Sequence, residues 1–132
     1  MIENVAEFNE KFGLPMGTDD QLMNNPEAQD FRVKFLQEEL DELKEALANG
    51  DKVKVFDALL DLAYVTYGTA LFAGIDATQW HAGMRAVHSC NMVKVRVAKA
   101  EDSKRGSVYD LKKPEGWVGP EPQLEEILSW PK

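Results

Sequence analysis

DALLDLAYVTYGTALFAGI, residues 57–75, is apolar on nearly every side, which predicts a helix buried in the middle of a bundle. Asp61 stands inside it, flanked along the helix faces by Ala58, Leu60, Leu62 and Val65. An ionised carboxylate there costs several kcal/mol of desolvation unless a positive charge meets it. Asp57, one turn earlier, points the same way. Two acids on one face of a core helix call for a cation, and the neighbouring segments offer groups to share it.

Outward from this stretch, Asp51 caps the start of the helix and Gly74 closes it. The preceding helix starts with Asn25 as cap and Pro26 at its first position, and runs to Asn49 and Gly50. Leu36, Leu40, Leu43 and Leu47 form its expected core stripe. The short connection makes these two helices antiparallel neighbours. Asn4–Phe12 reads as a short first helix ended by Gly13 and Pro15, and residues 17–25 as a polar loop. Asp76 caps a fourth helix from Ala77 to about Val97, with Trp80, Met84, Val87 and Val95 toward the core. From Lys99 onward charges, glycines and prolines break the pattern, apart from a short helix over Pro122–Leu128. No β-pattern of useful length and no internal repeat is visible. The expected fold is all-α: one domain over residues 1–132, with its core at about 26–97 and an irregular tail.

A net charge of −8 argues against a partner of long nucleic acid, which selects for basic stripes. The single Cys90 can form no internal disulfide, and MIENVAEFNEKF lacks the basic and apolar runs of a signal peptide, so a cytoplasmic setting is expected. Asp61, Thr66 and Thr69 interrupt the apolar run and argue against a membrane span.

On the second helix, QEELDEL (residues 37–43) sets Glu38, Glu39 and Glu42 on one broad face opposite the leucine stripe. Such a run is ordinarily a solvated surface. Phe31 and Phe35 on the same side suggest instead that something covers it. Antiparallel pairing brings these glutamates opposite Asp57 and Asp61, and five converging carboxylates favour magnesium or manganese over zinc. A di-iron bundle would use Glu-x-x-His, and neither His81 nor His88 follows a glutamate at that spacing.

The EExxE pattern of Glu38, Glu39 and Glu42, followed after fourteen intervening residues by an acidic pair, resembles the MazG-like all-α nucleoside triphosphate pyrophosphohydrolases. DALLDLAYVTYGTALFAGID, AVHSCNMVK and KKPEGWVGP extend the likeness, in order and spacing, to the phosphoribosyl-ATP pyrophosphohydrolase-like branch of phages and bacteria. The resemblance implies a four-helix bundle completed by oligomerisation, as a homodimer or homotetramer. It also implies hydrolysis of a (d)NTP to (d)NMP and pyrophosphate with Mg²⁺ or Mn²⁺, dGTP and GTP being the favoured substrates, in a bacterial or phage-infected cell. Glu39, Glu42, Asp61 and Asp57 would hold metal; Glu38 would activate water or bind a further metal, with Glu39 beside it in the catalytic set. The wider family carries Glu-x-x-Asp on the second acidic helix, which puts a glutamate where this chain has Ala58. Asp57 therefore stands in from a neighbouring position, directly or through water.

With the resemblance, anion recognition is expected of Arg85, Asn91 and Lys94, the last two at i and i+3, the alternative being a polar outer face, and Lys34 lies either on phosphate or paired with Glu38. Tyr64 and Tyr67 are candidates to line a base pocket, and Gly68 leaves room for close helix approach or a flat ligand. The segment around Trp117 either folds over the nucleotide, clamps a neighbouring subunit or docks on its own bundle. Competing readings are hydrolysis of phosphoribosyl-ATP in histidine biosynthesis and a non-catalytic helical binding module.

Overall fold

In the computed structural model, which describes residues 1–132, four longer helices precede a small ribbon and a short helix. They are α1 (Ile2–Phe12), α2 (Pro26–Ala48), α3 (Lys52–Phe72) and α4 (Ala77–Met92), then β1 (Val95–Arg96), β2 (Leu111–Lys112) and α5 (Glu121–Leu128). The boundaries follow local chemistry. The Asn25 side-chain amide oxygen and the Asp51 carboxylate accept from the N–H groups of Ala28 and Lys54, and Asp76 exchanges two hydrogen bonds with Gln79 at the head of α4. Gly74 ends α3 at φ 73°, and a Cβ there would sit 2.8 Å from the Asp20 nitrogen. The α1–α2 loop thus lies directly against this turn, where Gln21 N–H donates to the Phe72 carbonyl.

Two compact units share the chain, Met1–Trp80 with Lys132, and His81–Pro131. In the first, α2 and α3 pair along their length and α1 packs on α3. Its fully buried centre is Ile2, Val5, Ala70 and Leu71, with Tyr67 and Trp80 in edge contact beside it. In the second, Ala82, Ala86 and Cys90 make a buried stripe of small side chains on the last turns of α4. Gly83 faces Leu124 of α5 closely enough that a Cβ would touch it at 3.4 Å.

Three expectations change. Leu40 and Leu47 are exposed, whereas Leu36 and Leu43 are half-buried on a seam with the buried Arg32, Glu39 and Ala46, so half of the expected leucine stripe faces the core. α3 is not sheathed all round: Val53, Phe56, Leu59, Leu60 and Tyr64 remain open, although the helix is long and apolar enough to cross a membrane by length and composition. Finally, α4 stops at Met92 rather than near Val97, and Met84 and Val95 are exposed. VKVRV at 93–97 alternates β-branched and cationic residues, and its middle pairs antiparallel with Leu111–Lys112.

Candidate metal centre

Glu39 comes from the middle of α2, where the buried seam points it at α3, and Glu42 follows at i+3 on the same side. Asp61 meets them from α3. One carboxylate oxygen from each lies within 4.8 Å of the others. Glu39 is 8% exposed, and its Oε2 has no hydrogen-bond partner. A native fold rarely leaves a buried carboxylate oxygen orphaned, because the desolvation is then uncompensated. Burial, and then the charges of Glu42 and Asp61, push the Glu39 carboxyl up to about 6. Burial and the nearby Asp57 also raise Asp61. An all-oxygen set of three carboxylates with one unsatisfied atom suits a hard divalent cation.

Antiparallel pairing of α2 and α3 is held one to two turns beyond the acids by a buried cation. Arg32, seven residues before Glu39, donates through Nη2 to the Val65 carbonyl at 2.8 Å and through Nε to Thr69 Oγ1 at 3.1 Å. Its guanidinium packs over Phe72, Phe35 and Phe31, and burial lowers its pKa. Gly68 makes the space: a Cβ would fall 2.7 Å from Arg32 Nη2. The room at Gly68 is thus filled by the chain's own arginine, not by a flat ligand. No sequence rule singled out Arg32; its spacing of seven from Glu39 was the available signal.

The remaining candidates sit in different places. Asp57 lines a hollow of about 310 Å³ with Glu42, Glu45, Asn49 and Lys54, beside the trio and outside it. Glu38 is exposed and lines a shallow hollow with Phe31 and Phe35, yet its charge is near enough to help raise the Glu39 carboxyl. Lys34 also lines that shallow hollow, but its ammonium pairs with Asp30 at 2.8 Å rather than with Glu38. Tyr64 is exposed and meets Phe8 edge-on, whereas Tyr67 belongs to the core. Arg85, Asn91, Lys94 and Trp117 belong to the second unit. There α4 ends at Met92, and Asn91 and Lys94 stay joined at i, i+3 by a turn in which the Lys94 N–H donates to the Asn91 carbonyl at 3.1 Å. Trp117 docks on its own chain, its indole N–H donating to the Cys90 carbonyl at 2.8 Å, and Lys94 lies over its ring.

Residues 5–89 match the family described as phosphoribosyl-ATP pyrophosphohydrolase. An uncharacterized protein of Acanthamoeba polyphaga mimivirus is 35% identical over a 75-residue alignment that covers 54% of this chain. The chain spans 30% of that relative's length. The matched residues include all three clustered carboxylates as well as Arg32 and Gly68.

Proposed function

Because this chain belongs, through residues 5–89, to the phosphoribosyl-ATP pyrophosphohydrolase family, we propose that it hydrolyses the α–β phosphoanhydride bond of a nucleoside triphosphate, releasing (d)NMP and pyrophosphate. The observation that carries this reading is the orphaned, buried Oε2 of Glu39 amid Glu42 and Asp61. Glu39, Glu42 and Asp61 would hold Mg²⁺ or Mn²⁺, with Asp57 alongside. Such an ion, when bound, neutralises phosphate charge and lowers the pKa of the attacking water.

The chain's own residues do the rest. The α2 and α3 backbones fix three carboxylates before substrate arrives, so little reorganisation accompanies the reaction. Water adds to one phosphorus of the α–β anhydride, the bridging oxygen leaves with the other, and the water's proton passes to Glu38, the exposed acid next to Glu39. No covalent enzyme intermediate is required. Guanine nucleotides, dGTP and GTP, are the preferred substrates in this reading. A second substrate, phosphoribosyl-ATP, is favoured by the description of the matched family. The working form is a homodimer or homotetramer.

The test is release of pyrophosphate and monophosphate from the eight common NTPs and dNTPs and from phosphoribosyl-ATP, each with magnesium, manganese or chelator. Turnover confined to the metal-containing samples is expected, and the base that turns over names the substrate. Asp61→Asn should abolish turnover, a loss of about 10³-fold or more, while far-ultraviolet circular dichroism stays helical. Undiminished activity in that variant or in chelator would remove the metal-site reading. Silence on every substrate would leave a binding module.

A further inference from the structure

Charge is segregated in this chain. Residues 94–113 hold seven of its fifteen basic residues and three of its twenty-three acids, in a protein whose net charge is −8. The segment is a built structure. Val95 pairs with Lys112 and Arg96 with Leu111, and the Asp110 carboxylate closes the loop between them. It accepts from Ser103 Oγ at 2.7 Å, from Arg105 Nη2 at 2.5 Å and from the Leu111 N–H at 2.9 Å.

These connections shape a hollow of about 540 Å³, wholly within the second unit. Lys94, Lys104, Arg105, Lys112 and Lys113 line it, against two acids, Asp102 and Asp110. Asp110 is spent on Arg105, which leaves the four lysines facing one cavity with no carboxylate ion-paired to any of them. Two of these are held in place by the same ring: the Nζ atoms of Lys113 and Lys94 lie 4.7 and 5.3 Å from the Trp117 centroid. Ammonium groups brought together in this way repel one another unless an anion lies among them. Linked phosphates place several negative oxygens within a few ångströms, matching convergent lysines better than a single carboxylate does.

We propose that the lysine-lined hollow of the β1–β2 ribbon is a binding site for linked phosphates, supplied as free pyrophosphate or as the polyphosphate tail of a nucleotide. It lies beyond the residues matched by the family and uses none of the metal-centre carboxylates. The site therefore stands whether or not the acids catalyse.

Isothermal titration calorimetry of the full chain in chelator, with pyrophosphate as probe, tests it. Lys104→Gln combined with Lys112→Gln should weaken binding about tenfold or more. Lys52→Gln combined with Lys99→Gln makes the same charge change outside the hollow and should leave it within about twofold, as should Asp61→Asn. All these side chains are exposed or half-buried at the surface, and circular dichroism checks that each variant folds. A second titration uses α,β-methylene-ATP. Binding that pyrophosphate displaces, lost in the same double variant, identifies a nucleotide tail as occupant; pyrophosphate binding alone identifies the free anion. Equal weakening by both double variants, dependence on Asp61, or no binding of either probe would overturn the proposal.

Discussion

Glu39 is the residue on which the site turns. Raised to about 6 from an ordinary 4.5, it holds a proton in the folded, metal-free chain across a range in which the unfolded chain has lost it. The folded state then binds more protons, so its stability falls as pH rises through that window and the contribution is gone above about 6. Asp61 shifts in the same direction. In chelator, the melting temperature of the wild type relative to Glu39→Gln should therefore fall between pH 5 and pH 7. Magnesium should recover more of it at pH 7 than at pH 5, because the ion must displace a proton at the lower pH. A wild-type-to-variant difference that is flat with pH would contradict this account. The sequence set Glu38 and Glu39 on one broad face, and only the family resemblance gave them different roles. One residue is 100° of helix rotation, enough to bury one glutamate and expose the next.

At the scale of the element, α2 and α3 are registered by Arg32 reaching across Gly68 to the Val65 carbonyl. Gly68→Ala improves helix propensity by about 1 kcal/mol, yet its Cβ forces the guanidinium off that carbonyl, for a net loss of about 1–3 kcal/mol. In an Arg32→Met background the obstacle is gone, and the same change should become neutral or stabilising. Chemical denaturation of the four proteins in this cycle measures the coupling, and additive effects would show that the two residues do not share a contact. The sequence disclosed the ends of both helices, since Asn25, Pro26, Asp51 and Gly74 act on neighbours a few residues away. It concealed what lies between them. An arginine buried by three phenylalanines has no signature in the periodicity of apolar residues, and of the four leucines expected in the α2 stripe Leu40 and Leu47 are exposed.

At the scale of the molecule, the apolar residues left open on α3 are the main unfinished business of the fold. Phe56 is 63% exposed and Leu60 53%, on the helix whose composition predicts burial all round. A second copy of the chain would cover this face, so light scattering should give a mass that is a multiple of 14.8 kDa. Leu60→Glu should drive the assembly toward single chains, and a wild-type mass equal to one chain would set that reading aside. The sequence by itself determined the mostly helical class, the ends of α2 and α3, and three of the five acids expected to meet across them, because each rests on local propensity or on a spacing fixed by helix geometry. Only the tertiary structure decided which carboxylate is buried and unsatisfied, that an arginine fills the space at Gly68, and that VKVRV leaves the helix to frame a basic hollow. Those outcomes depend on which surfaces meet, and burial, desolvation and cross-chain pairing arise between segments far apart in the sequence.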